Sequence, residues 1–272
     1  MKRHLALALA LTLLAMGCGK SRESAPSGAG LPAAEIAAGF SDYANVLLSM
    51  MIQSADGAIL EQERILLALA ALPQVQAGDW AGMEGTVAAF QRAWGDGGVY
   101  WFALPDGRYY TVEKGLVGQT LADRSYFPDL QAGKTVVGAL VVSRSTGMKS
   151  AVIAVPILDG ANRMIGALGA SLFLEKLNKA LASAMSLPEG MIFYALGTDG
   201  TTVLHQNLGM VFDNPLGRYS PSLKAAAEKM LVSESGEAEY EFNGFRKRVR
   251  YAASPLNGWR YVIGINVSKP TS

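Results

Sequence analysis

The chain states one structural plan twice. Val99 to Leu104, a Pro105–Asp106–Gly107 turn and Arg108 to Val112 read as a hairpin. Ile192 to Leu196, Thr198–Asp199–Gly200 and Thr201 to His205 restate it, with the turn glycines 93 positions apart. Val152 to Ile157, carrying Pro156, is echoed by Val249 to Leu256, carrying Pro255. Asp159–Gly160 is echoed by Asn257–Gly258, and Ile165–Gly166 by Ile263–Gly264, so the offsets stay between 93 and 99. A unit of that length is large enough to hold its own core. The order therefore predicts two related lobes.

The type of each element follows from local pattern. Further strands are expected at Val136–Ser143, Ala151–Ile157 and Met164–Phe173, with a helix from Glu175 to about Met185. Their β-branched and apolar residues suit antiparallel sheets whose core face is covered by helix. In the second half a helix over Pro221–Val232 precedes a hairpin with Asn243–Gly244 at its tip, a pair that accepts the positive φ of a tight turn. Ahead of both lobes, Ile36, Phe40, Tyr43, Leu47 and Met51 mark one face of a helix. It runs toward Leu72, and Pro73 ends it. Trp80 to Trp94 is a second helix, with Met83, Val87, Phe90 and Trp94 on one side. The expected fold is α+β: a long N-terminal helical region (33–79), then lobes over 80–185 and 186–268, each an antiparallel sheet with flanking helices.

The amino terminus carries an address. Met1–Lys2–Arg3–His4 is basic, Leu5 to Ala15 is apolar, and Gly17 precedes Cys18. That order is a secretory signal, and its apolar run is well short of the roughly 20 residues a membrane-spanning helix needs. Ala15–Met16–Gly17–Cys18 resembles the bacterial lipoprotein signal. The resemblance implies acyl chains such as palmitate on Cys18, which becomes the first mature residue after cleavage of 1–17. The sequence departs from that family at Ala15, where Leu is preferred; an ordinary signal peptide ending in cysteine is the alternative. Cys18 is the only cysteine, so no intrachain disulfide can form. Residues 18–32, rich in Ser, Gly, Ala and Pro, read as a flexible tether. The expected location is extracytoplasmic, as a membrane-anchored lipoprotein. Gly19, where Asp would resemble the inner-membrane retention signal, points to the outer membrane in a two-membrane organism.

Composition and motifs narrow the function. The formal net charge is +1 and half the residues are hydrophobic, which is neither a nucleic-acid footprint nor a disordered composition. Of two histidines, His4 leaves with the signal. His205 alone builds neither a His-rich metal site nor a triad and reads as a lobe residue. Thr146-Gly147-Met148-Lys149 has Ser-x-x-Lys spacing without partner motifs and reads as a turn. Glu237, Glu239 and Glu241 alternate along a strand as its solvated face. No enzyme, cofactor or metal is expected.

The order of motifs resembles the double Cache (dCache) extracellular sensor domain, of PAS-like fold, found in bacterial chemoreceptors and sensor kinases. The residues that carry it are Tyr100-Trp101-Phe102-Ala103-Leu104-Pro105-Asp106-Gly107, Leu121-Ala122-Asp123-Arg124-Ser125-Tyr126-Phe127 and Ser143-Arg144-Ser145-Thr146-Gly147. Val155-Pro156-Ile157-Leu158-Asp159, Ile165 to Ser171 and Gly258-Trp259-Arg260-Tyr261-Val262-Ile263-Gly264 complete it. The resemblance covers roughly residues 33 to 268. It implies a membrane-distal lobe near 80–185 that holds a small ligand, and a membrane-proximal lobe near 186–268. In amino-acid-binding members an Arg, one residue, then Trp-Tyr hold the ligand carboxylate, and a later Asp holds the ammonium. Here Arg124-Ser125-Tyr126-Phe127 takes the first place, and the Asp falls on Ser171. Arg124 offers a planar fork for a carboxylate, Tyr126 and Phe127 an aromatic wall. Ser143, Ser171 and Tyr110 are further candidates. Without the acid, a small polar or anionic metabolite such as an organic acid is expected rather than a free α-amino acid. Arg124 pairing with Asp123, or with sheet carbonyls, is the competing reading. Receptors of this family continue into a second span and an output module, whereas this chain stops at Ser272. Action through a separate signalling or envelope partner is therefore expected. A structural lipoprotein without ligand, or a serine hydrolase, are the alternatives.

Overall fold

The structure, a computed structural model, describes residues 39–268, which fall within one compact unit. The export segment, Cys18, the tether, Ala33 and Ile36 lie outside the described residues.

Helix α1 (Phe40–Ala70) is 31 residues long, about 46 Å at 1.5 Å per residue. Phe40, Ala44, Leu47, Leu48, Met51, Ala55 and Ile59 recur at three- and four-residue steps and are buried. Leu72 is extended ahead of Pro73, as the residue before proline tends to be. Pro73 is then the first residue of a short α2 (Pro73–Gln76), where its missing N–H is no loss. Helix α3 (Trp80–Trp94) starts on Asp79, whose carboxylate accepts from the Gly82 N–H. It buries Met83 and Val87, while Phe90 is 37% exposed. The apolar stripe read from the sequence is thus wider than the face the fold covers.

The first sheet holds β1 (Gly98–Ala103), β2 (Arg108–Thr111), β3 (Gly115–Thr120), β4 (Val136–Val142), β5 (Lys149–Leu158) and β6 (Met164–Phe173), in the order β3-β2-β1-β6-β5-β4. Helix α4 (Phe127–Gln131) sits in the covering segment between β3 and β4, and α5 (Leu174–Met185) leads out of β6. The second sheet holds β7 (Met191–Leu196), β8 (Thr202–His205), β9 (Ser235–Phe242), β10 (Phe245–Ala253) and β11 (Arg260–Ser268), ordered β8-β7-β11-β10-β9. Helices α6 (Pro215–Arg218) and α7 (Pro221–Val232) precede β9. In both sheets the opening hairpin pairs through its first strand with the closing strand, and all pairings are antiparallel. The sequence repeat is thus a repeat of topology. Asn243 and Gly244 both take positive φ, 50° and 74°, at the tip of the β9–β10 hairpin, the geometry a two-residue turn requires.

One apolar core joins α1 to the inner faces of both sheets. Two smaller clusters lie on the outer faces, under α4 and its flanking segment in the first lobe and under α7 in the second. Polar groups of α1 reach each sheet: Gln62 accepts from the Tyr100 hydroxyl, and Asp56 from Ser254 at 2.7 Å and Tyr261 at 3.4 Å. These bonds matter because buried polar groups are expensive to leave unpaired. Burial raises the Asp56 pKa, with the two hydrogen bonds opposing it.

Candidate functional site

The outer face of the first sheet forms a cleft under the segment that carries Leu121, Arg124 and Tyr126. Trp101 decides its shape. In the β1–β6 ladder Trp101 stands directly opposite Gly169 and diagonal to Ser171. Its indole lies across the bare glycine, and its Nε1–H donates to the Ser171 hydroxyl at 3.2 Å. A Cβ on Gly169 would fall 2.0 Å from the indole. The free volume left among Trp101, Tyr109, Arg124, Tyr126, Ser143 and Ser171 is about 10 Å³, close to what one water needs.

Four of the six expected ligand-site residues meet here: Arg124, Tyr126, Ser143 and Ser171 line the cleft. Phe127 is 1% exposed and belongs to the apolar cluster of that face without lining the cleft. Tyr110 is not brought to it. The pleat turns successive side chains to opposite faces, so Tyr109 enters the cleft while Tyr110 pairs across from Phe102 and stacks on Trp80 at 5.5 Å. Sequence reasoning missed Trp101, Tyr109, Arg144 and Ser145 as lining residues. The available signal was alternation: Trp101 and Tyr109 share a face, and the register of the hairpin shows it.

The charges of the cleft are unevenly matched. Arg144 grips Asp123 bidentately, at 2.6 and 2.7 Å, and also donates to the Thr120 carbonyl. The hydrogen bonds from Arg144 hold the Asp123 carboxyl below its ordinary range. Asp123 is thus taken, and Arg124 does not pair with it. Arg124 donates from Nη2 to the Val142 carbonyl at 2.7 Å, as the competing reading anticipated. Its Nε, however, is buried without a partner. Ser143 and Ser145 hydroxyls lie 3.2 Å apart. Burial raises the pKa of Tyr126 and of Tyr109, so both remain neutral donors. The cleft can donate several hydrogen bonds to an acceptor and has no free carboxylate among its lining residues to receive an ammonium.

Elsewhere, Thr146 and Gly147 form the β4–β5 turn, with Gly147 at φ 75°, and Lys149 donates to the Val211 carbonyl of the second lobe. Glu237, Glu239 and Glu241 are exposed along β9, with Glu237 and Glu239 paired to Arg250, Arg246 and Arg248 across the strand. Among the described residues no group of three or more His, Cys, Asp or Glu is placed to hold a metal ion. No helix among them is long and apolar enough to cross a membrane.

This two-lobed arrangement is the architecture of extracellular receptor ligand-binding domains. An extracellular ligand-binding receptor from Desulfohalobium retbaense superposes with a TM-score of 0.66 at 15% identity, covering 82% of this chain and 40% of that one. The chain thus spans about two fifths of that receptor. The ligand-binding domain of the Pseudomonas fluorescens chemoreceptor CtaA, in complex with L-serine, matches with a TM-score of 0.66 at 13% identity, covering 85% of this chain and 99% of that one. That of the Pseudomonas aeruginosa amino-acid chemoreceptor PctB, in complex with L-Arg, gives 0.65 at 18%, covering 85% and 96%. The fold of this chain is the double Cache fold of such chemoreceptor domains. No protein-family model matches the sequence, and no curated protein matches it.

Proposed function

We propose that this protein is an extracytoplasmic sensory ligand-binding protein, lipid-anchored through Cys18. Its first lobe (80–185) is read as the membrane-distal one and its second (186–268) as the proximal one. A small polar or anionic metabolite binds the first-lobe cleft against Arg124 and Tyr126, with Ser143 and Ser171 as neutral partners. The chain has no enzymatic role and passes its signal to a separate envelope or signalling protein.

The observation that carries the binding reading is the buried, unpartnered Nε–H of Arg124. An unpaired donor on a charged group costs at least about 1–3 kcal/mol, and a carboxylate or carbonyl oxygen arriving in the cleft removes that cost. The absence of a free acid among the lining residues argues against the ammonium of a free amino acid. Entry requires the cleft to open, because Trp101 fills it. Movement of the indole or of the covering segment is therefore the conformational response, and α1, which packs on both sheets, is the element able to relay it.

A thermal-shift screen of the purified full chain against organic acids, amino acids and amines tests this. At least one organic acid should stabilise the protein, with affinity about 10–100-fold weaker in Arg124→Ala. Stabilisation undiminished by Arg124→Ala would remove the site. The small free volume favours a second reading, a structural lipoprotein that uses its lobes as an interaction surface. That reading predicts no stabilising ligand at all and specific crosslinking to an envelope protein.

A further inference from the structure

A second pocket, roomier than the first-lobe cleft, lies in the other lobe. On the outer face of the second sheet, Tyr194, His205, Tyr240 and Lys247 form the floor and Leu223 and Ala227 of α7 the roof of a cavity of about 90 Å³. That is about six to nine times what a single water needs. Its walls are apolar apart from a few groups, and those groups share one character.

Lys247 is only 7% exposed. Its neighbours Arg246, Arg248 and Arg250 are each paired to Glu239 or Glu237. Lys247 alone of these four turns inward. Its Nζ donates to the Asn266 side-chain carbonyl at 2.7 Å and stands 5.8 Å from the Phe245 ring centroid. Among the described residues no carboxylate pairs with it. A desolvated cation without a counter-ion is unfavourable, and burial accordingly lowers its pKa. His205 supplies a second donor. Its Nδ1 accepts from the Asn207 N–H at 2.8 Å, so the neutral ring carries its proton on Nε2. Desolvation pushes its pKa down to about 4, which keeps it neutral. The Tyr240 hydroxyl donates to that of Tyr194 at 3.2 Å. The Tyr219 hydroxyl donates to Asp213, which is not part of the cavity wall. No Asp or Glu lines the cavity.

We propose that this second-lobe cavity binds a short aliphatic carboxylate of about three to six carbons, its anionic end on Lys247 and its chain against Leu223 and Ala227. The Nε2–H of His205 is the other donor available to it. An amine of the same length meets the Lys247 ammonium, and an α-amino acid would bury its own ammonium opposite no acid. The site is separate from the first-lobe cleft and stands whether or not that cleft binds anything.

The test is calorimetric titration of the purified full chain with acetate, butanoate and hexanoate, and with butylamine as the charge control. Butanoate or hexanoate should bind saturably and butylamine should not. Lys247→Met, which keeps the length and removes the charge, should weaken binding about 10–100-fold. Ala227→Leu, which fills the chamber from α7, should abolish it and decides the matter if Lys247→Met does not fold. Gly57→Ala on the exposed side of α1, away from both lobes' pockets, should leave it unchanged. No saturable binding, or binding that survives both Lys247→Met and Ala227→Leu, overturns the proposal. So does binding lost in Arg124→Ala, which would assign the ligand to the first lobe.

Discussion

Gly169→Ala is the smallest change that should expose how the first lobe is built. The new methyl would sit 2.0, 2.2 and 2.4 Å from the Trp101 indole atoms Cζ2, Cε2 and Cη2, where real Cβ contacts stay above 3.0 Å. The indole must shift by about an ångström, and the roughly 10 Å³ left in the cleft cannot absorb it. Overpacking of this kind costs about 1–3 kcal/mol. Loss of the Trp101–Ser171 hydrogen bond adds about 0.5–1.5 kcal/mol. The reduced freedom of the unfolded chain offsets about 0.4–1 kcal/mol. The net is a destabilisation of about 2–3 kcal/mol, read by urea denaturation followed by circular dichroism, and a Tm lower by about 4–12 °C. The control is Gly57→Ala on the exposed side of α1, where a Cβ meets nothing within 4 Å. That variant should gain about 0.5–1 kcal/mol. The decisive arm is the double variant: with Trp101→Leu already in place, Gly169→Ala should cost less than about 0.5 kcal/mol, a coupling well above experimental error. If Gly169→Ala costs the same in both backgrounds, the contact with Trp101 is not its cause and the account of the cleft fails.

Two pH effects follow from buried groups. His205 titrates near 4 in the folded protein against 6.5 ordinarily, so its contribution is complete above 6.5 and is lost as pH falls toward 4. The loss should reach about 3 kcal/mol, and His205→Leu should flatten the stability profile across that window. An unchanged slope in the variant would refute the burial argument. Asp56 has the opposite sign, because burial raises its pKa above 3.8. Its contribution is greatest below 3.8 and is lost as pH rises through the folded value. Asp56→Asn should therefore improve relative to the parent between pH 3.5 and 7 in denaturation series, and a constant difference would count against the reading. The Arg144–Asp123 pair, whose carboxylate faces solvent, should matter little to folding: Asp123→Asn is expected to leave the urea midpoint essentially unchanged.

Much of the architecture was legible locally. Turn chemistry at Pro105–Asp106–Gly107 and Asn243–Gly244, four- and three-residue steps along α1, and the reuse of one motif order at offsets of 93 to 99 are properties of short segments. Each segment acts on its own backbone before any partner arrives, so a linear reading reaches two antiparallel lobes behind a long helix. Arg124, Tyr126, Ser143 and Ser171 were reachable by position within that order. The rest depended on partners distant in sequence. Whether Tyr109 or Tyr110 meets the cleft is set by the pairing Phe102↔Tyr110, since a shift of one residue exchanges the faces. Trp101 fills the cleft because Gly169, far along the chain, is the residue opposite it and has no side chain. Lys247 became a buried cation because the strand's alternation turned it under α7 and left Arg246, Arg248 and Arg250 on the opposite face, paired to their acids. Local sequence dictates which element a residue belongs to. Which face, which neighbour and how much room remain are decided only when strands many residues apart take their register.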